Sequence, residues 1–303
     1  MHELIKPWED FERIQRGRSA ASVALYVRCV REFVAWLEES GRPASAAEVK
    51  REDVEQYLKH LFFLGNSNKT RATKLCALRS FFSFLSSRGL LATDPTAGVP
   101  SPRYEQKVPT KFSTESLRKL LGAPDLSTPR GVRDNAMLIT LYGAGLRKAE
   151  LVALDLTDIS DTGAHISLVI HGKGGKQRTL LLRRTPAAAL RAWLALRSSI
   201  PSADKAVFVS LQGAPGRMRP SAVSDVLKKY AALVGIRSAD AFAHKLRATW
   251  ATDLYDAGVG LLEISKLAGW TSLQTAERYV AISERALKKS AVPDARWRDL
   301  DRR

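Results

Sequence analysis

"HISLVIHGKGGKQRTLLL", residues 165–182, is the stretch of this sequence that reads as β structure: two runs of β-branched and aliphatic residues joined by a glycine-rich turn. The other periodic segments repeat their apolar residues at helical spacing, so the expectation is a small hairpin set in a mainly α chain. Gly172, Gly174 and Gly175 suit a tight reversal, and they leave Lys173 at its tip. A tip lysine is commonly just solvated, but a flexible arm ending in an ammonium can also deliver a proton to a departing oxygen. Lys176 and Arg178, just beyond, are candidates for backbone phosphates.

On either side of the hairpin the pattern is helical. Helices are expected near 113–122 and 130–143, then in "TPAAALRAWLALRSS", "PSAVSDVLKKYAALVG", "HKLRATWATDLYDAG", "LLEISKLAG" and "SLQTAERYVAIS". "GAGLRKAEL" puts Arg147 just after a glycine-broken helix end, with Glu150 three residues on to hold its guanidinium; by itself the spacing is more simply explained by a surface ion pair. In "HKLRATW", His244 and Arg247 share one helical face, within reach of a common anion. "GWTSLQTAERY", 269–279, ends on Tyr279, which is either a half-buried aromatic or a nucleophile.

Three further amphipathic runs precede residue 99. The first, 19–39, carries Val23, Tyr26, Val30, Phe33, Val34 and Leu37 on one face. The second opens with a capping-box spacing from Ser45 to Glu48 and continues through Val54, Tyr57, Leu58 and Leu61; the third holds Leu75, Leu78, Phe81, Phe82 and Leu85. "VPSPRYEQKVPTKFS", 99–113, has three prolines and no apolar periodicity, and reads as an extended linker. The expected organisation is a helical N-terminal domain over 1–99, a linker over 100–112, and a mostly helical C-terminal domain with its hairpin and a tail over 113–303.

Composition narrows the chemistry. Lys and Arg number 48 against 31 Asp and Glu, a net charge of +17, which suits a polyanion. The excess is lopsided: residues 1–100 hold 15 basic and 12 acidic side chains, 101–303 hold 33 and 19. Cys29 and Cys76 sit in apolar helical patterns and the five histidines are scattered, so neither a disulfide framework nor a metal-ligand set is legible. No Walker-type glycine loop or carboxylate cluster is present, and no cofactor is expected. The longest nearly apolar stretch, "AMLITLYGAGL", is too short to span a bilayer, and the first residues do not have the form of a signal peptide, so the expected location is the cytoplasm, at the nucleoid.

Taken in order, Arg147, Lys173, His244-x-x-Arg247, Trp270 and Tyr279 resemble the active-site set of the tyrosine recombinase (phage integrase) family, in particular its compact Xer-like members. The resemblance extends over most of the chain, since a small helical N-domain, a basic linker and a helical C-domain with one hairpin are the organisation of that family. It implies that Tyr279 attacks a phosphodiester to give a 3′-phosphotyrosyl bond, and that Arg147 and Arg247 stabilise the charge of the transition state. It also implies that His244 helps deprotonate a phenol whose ordinary pKa is ~10, and that Lys173 protonates the leaving 5′-oxygen. Trp270 stands where most relatives have histidine; an indole N–H can donate to a phosphate oxygen but cannot transfer a proton, so a positioning contact is implied. Ala248 is a second departure, at a place where relatives often have histidine.

The resemblance further implies a homotetramer on double-stranded DNA, alone or with a second related recombinase, at a core site with inverted repeats. Lys74, Arg79, Lys107, Lys111, Lys176, Arg178 and Lys245 are the expected phosphate contacts, and "SERALKKSAV", 283–292, a segment that could dock on a neighbouring protomer. Two rivals remain at this level. A type IB topoisomerase would share the nucleophile but relax any supercoiled DNA, and a non-catalytic DNA-binding protein would have the charge without the ordered set.

Overall fold

The computed structural model describes residues 1–105, 110–172, 175–202, 204–270, 272–280 and 283. Contacts divide the chain into two compact units, Met1–Gln106 and Lys107–Arg303.

The first unit is helical among its described residues. Helix α1 (His2–Asp10) runs into a single π-helical turn, Phe11–Gln15, and is followed by α2 (Ala20–Glu39), α3 (Arg51–Phe63) and α4 (Asn68–Ser87). Ile5 and Trp8 of α1 are buried in the same core as Phe33, Tyr57, Phe81 and Phe82, so the helical layer begins well before residue 19. Capping sets the helix starts. Ser19 and Ser67 accept hydrogen bonds from the backbone N–H groups of Ser22 and Thr70. The second run differs from the expected Ser45–Glu48 box: the helix begins at Arg51, where the Asp53 carboxylate accepts the Lys50 N–H at 2.9 Å, and Ser45 closes only a turn to Glu48.

The second unit wraps helices around a small sheet. Helices α5 (Thr114–Leu121), α6 (Pro129–Gly143) and α7 (Lys148–Ala153) lead to strands β1 (Ile159–Asp161), β2 (His165–His171) and β3 (Gln177–Arg183). Then come α8 (Arg184–Arg197), α9 (Pro220–Leu233), α10 (Ala243–Asp256), α11 (Leu261–Ala268) and α12 (Leu273–Val280). The expected hairpin is there as β2–β3, with β1 added antiparallel on the far edge of β2. Three residues are too few to show an alternating pattern, which is why β1 escapes a reading by periodicity. Pairing places Ile166 against Leu182, Leu168 against Leu180 and Ile170 against Arg178. Because side chains alternate across a strand, Arg178 shares its face with the buried Leu180 and Leu182.

Helix α6 starts at a Thr128 cap with Pro129 in its first turn. It ends where Gly145, at φ +57°, reverses the chain into α7. A side chain at Gly145 would stand 2.3 Å from the Trp250 ring, so α10 packs directly on this turn. Gly269, at φ +64°, ends α11 in the same left-handed way and directs the chain to Trp270. Among the described residues, no helix is long and apolar enough to cross a membrane.

Candidate active site

Arg147, Glu150, Lys176, Arg178, His244, Arg247, Trp270 and Tyr279 all line one cavity of about 840 Å³ in the second unit. Lys173 lies outside the described residues, as do Lys107 and residues 284–303 of the expected docking segment and tail.

Tyr279 is delivered by α12, an amphipathic helix that buries Ala276 and Tyr279 on one side. Its ring is 4% exposed and lies face to face with Trp270, centroids 4.8 Å apart and planes 6° from parallel. Its hydroxyl is 2.9 Å from His244 Nε2, and its carbonyl accepts from Thr252 Oγ1 of α10 at 3.3 Å. Burial raises the Tyr279 phenol above its ordinary value, although Arg247, Arg147 and Arg278 pull it down. Tyr279 is therefore protonated at neutral pH, with its hydroxyl in hydrogen-bonding contact with the His244 imidazole.

Arg247, on α10 one turn from His244, is 1% exposed. It donates from Nη1 to the Gly145 carbonyl at 2.5 Å and from Nη2 to the Ala268 carbonyl, and its guanidinium lies over the Trp270 ring at 5.3 Å. Burial, reinforced by the nearby Arg147 cation, lowers its pKa to about 10, still charged at neutral pH. Trp270 thus meets both the Arg247 cation and the Tyr279 ring.

Arg147 caps the start of α7 with its side chain 47% exposed. Glu150, in the first turn of that helix, accepts the Arg147 backbone N–H at 2.8 Å and its Nη1 at 2.7 Å. The carboxylate is also gripped by Arg178, from Nη1 at 3.1 Å and Nη2 at 2.9 Å, and stands 3.7 Å from Arg247. Burial acts to raise the Glu150 pKa, yet the hydrogen bonds from Arg178 and Arg147 outweigh it and leave the group below the usual carboxylate range.

Arg178, expected on phosphates, has a side chain 13% exposed and committed to Glu150 and to the Leu267 carbonyl, 2.8 Å from Nε. The signal that sequence reasoning passed over was alternation: Arg178 lies in phase with Leu180 and Leu182, on the inward face of β3. Lys176 is exposed at the cavity edge. Lys111 pairs with Asp256 at 3.3 Å, and Lys245 lies over the Phe112 ring at 4.7 Å. In the first unit, Lys74 pairs with Glu32 at 2.8 Å and Arg79 donates to the Val99 carbonyl at 2.5 Å. Among the described residues, no group of three or more His, Cys, Asp or Glu side chains is arranged to hold a metal ion.

This arrangement has the parts needed to attack an anionic ester: one buried hydroxyl with an imidazole against it, two guanidiniums beside it, and an aromatic wall stacked on the phenol ring. Comparison with known proteins gives matches along nearly the whole chain. The model of the phage integrase family matches residues 111–285, and that of the phage integrase N-terminal SAM-like domain matches residues 5–89. The chain is 30% identical to the tyrosine recombinase XerC of Actinobacillus pleuropneumoniae over 98% of its length and 95% of that protein. It is 26% identical to the tyrosine recombinase XerD of Staphylococcus epidermidis, covering 95% and 97%. Among solved structures, the fold is shared with the XerH site-specific recombinase bound to palindromic difH substrate in a post-cleavage complex, at TM-score 0.75 and 20% identity, covering 94% of this chain and 83% of that one. It is shared as well with a lambda integrase(75-356) dimer bound to a COC′ core site, at TM-score 0.67 and 18% identity, covering 92% and 94%.

Proposed function

The chain belongs to the phage integrase family and is a tyrosine-type site-specific recombinase, and on that premise we propose a division of roles within its cavity. Tyr279 is the nucleophile and His244 its base, because the phenol is buried, protonated and 2.9 Å from Nε2. That contact carries the reading. Arg147 and Arg247 bind the scissile phosphate and offset the charge that grows on its oxygens, Arg147 from the solvent side and Arg247 from within. Lys173, between β2 and β3 in the sequence, protonates the leaving 5′-oxygen. Trp270 holds the attacking ring in place through its stack on Tyr279.

The phosphotyrosyl bond conserves the energy of the broken linkage, so a second 5′-hydroxyl can reverse the step without a nucleotide cofactor. We infer a homotetramer on duplex DNA with an inverted-repeat core site, acting in the cytoplasm at the nucleoid. Lys74, Arg79, Lys107, Lys111, Lys176 and Lys245 are proposed phosphate contacts, those already ion-paired exchanging a carboxylate for a phosphate on binding.

The experiment is covalent capture. Wild-type and Tyr279→Phe chains are incubated with genomic DNA of the host, the mixture is denatured, and DNA retained on protein is sequenced. Adducts with wild type alone, clustered at a short inverted repeat, are the expected result. Equal retention by both chains, or none by either while both bind DNA, would remove Tyr279 from the chemistry.

A further inference from the structure

Glu150 is a single buried carboxylate surrounded by three guanidiniums, and two of them, those of Arg147 and Arg247, have work to do on the substrate. The third, Arg178, holds both Glu150 oxygens with its two terminal nitrogens while its Nε donates to the Leu267 carbonyl. Three of that guanidinium's N–H groups are committed to the protein, and the side chain is 13% exposed. Leu267 lies near the end of α11, three residues before Trp270, and the backbone there is close enough that a side chain at Gly269 would meet Arg178 Nη1 at 3.1 Å.

We propose that Arg178 is a positioning residue of the cleavage step and not a DNA contact: it supplies the counter-charge of Glu150, so that Arg147 and Arg247 keep theirs for the phosphate, and it ties strand β3 to the end of α11. The proposal rests on the recombinase reading of the cavity.

The physical reason is charge balance in a dry place. A buried carboxylate without a close partner is strongly unfavourable, so Glu150 takes whatever cation is nearest. With Arg178 in place, the pair is neutral and the two remaining arginines face the cavity with two positive charges. Without it, Glu150 would rest on Arg147, 2.7 Å away, and Arg247, 3.7 Å away, alone and offset one of those charges. Lysine is no substitute, since one ammonium cannot hold two carboxylate oxygens and a carbonyl in a planar fork. Of the three bonds, two join β3 to Glu150 on α7 and one, from Nε to the Leu267 carbonyl, joins it to the end of α11 just before Trp270, so these parts of the cavity wall are set against each other through one side chain.

The test uses full-length Arg178→Gln, Arg178→Lys, Glu150→Gln and the Glu150→Gln/Arg178→Gln double variant, with thermal melting to confirm that each is folded. Binding to a mixed-sequence 40-base-pair duplex is followed against salt. In the Glu150→Gln background, where no carboxylate is left to offset Arg147 or Arg247, a phosphate contact at Arg178 would lower the log K against log salt slope by about one on substitution to Gln, and an unchanged slope is expected. Single-turnover adduct formation is then measured on a nicked duplex carrying the sequence recovered by covalent capture. Both Arg178 variants are expected to slow it by at least about tenfold, whereas in the Glu150→Gln background the same substitution adds less than about threefold, the signature of one side chain acting through the other.

A slope reduced by one between the Glu150→Gln chain and the double variant, or an equal loss of cleavage rate in both backgrounds, would overturn the proposal. Failure of the wild-type chain to form any adduct would overturn the recombinase reading instead, and the salt slope would still decide whether Arg178 meets phosphate.

Discussion

Replacing Gly145 by alanine adds one methyl group at the turn between α6 and α7, and the structure gives the size of the effect. The residue is at φ +57°, where an L side chain crowds the following carbonyl, a strain of about 1–2 kcal/mol. The new Cβ would stand 2.3 Å from two atoms of the Trp250 ring and 2.7 Å from a third, all in the rigid body of an indole. Overpacking of that kind costs about 1–3 kcal/mol once the ring and backbone shift. Together these give about 2–5 kcal/mol, which in a unit of this size lowers the melting temperature by about 5–15 °C.

Trp250 belongs to the same cluster as Ala248, Ile264 and Tyr279, and the Gly145 carbonyl is the acceptor for Arg247, so the displacement reaches the cavity directly. Scanning calorimetry is the assay, with Gly213→Ala as control: Gly213 is at φ +66° and a methyl group there would meet nothing within 4 Å, so only the backbone strain of about 1–2 kcal/mol applies. Gly145→Ala should melt several degrees below Gly213→Ala and form phosphotyrosyl adducts more slowly. If the two variants melt within about 2 °C of each other, the close packing of α10 on this turn is refuted.

Trp270→Phe keeps an aromatic face on Tyr279 and Trp270→Ala removes it; with stacking worth about 0.5–1.5 kcal/mol, Ala should slow adduct formation about three- to tenfold more than Phe at unchanged DNA affinity. The Tyr279 phenol is raised by burial, so it keeps its proton to higher pH than a free tyrosine. The stability tied to that proton is present below the ordinary value of ~10 and lost as pH rises through the folded one. In a His244→Gln chain, with the base removed, the cleavage rate should climb about tenfold per pH unit from 7 to 9, whereas the wild-type rate levels off; parallel profiles would take His244 out of the proton path. Tyr230→Phe removes the 3.0 Å bond from its hydroxyl to the buried Asp134 carboxylate and should destabilise the chain by about 1–3 kcal/mol in urea unfolding, with DNA binding unaltered.

Local spacing alone was enough to identify the hairpin, the helices that flank it and two of the site's pairs. A strand pattern of period two and a helix pattern near period four are written into neighbouring residues. Arg147 with Glu150 and His244 with Arg247 are likewise each one helical turn apart, so their partnership needs no knowledge of the rest of the chain. What lay outside local pattern was decided by packing. Tyr279 meets His244 across 35 residues and Arg178 meets Glu150 across 28, distances closed only because α10, α11 and α12 pack together beside β3. Arg178 shows the limit plainly. As a basic residue after a lysine-bearing turn it suggests phosphate, and only the strand's register, which turns it inward beside Leu180, makes it the partner of a buried carboxylate. Trp270 is the companion case: its identity announced a departure from histidine, but its contacts with the Arg247 cation and the Tyr279 ring follow the left-handed turn at Gly269 that ends α11. Residue types and short spacings are properties of the chain, while burial, and with it the charge state and reach of each side chain, belongs to the folded whole.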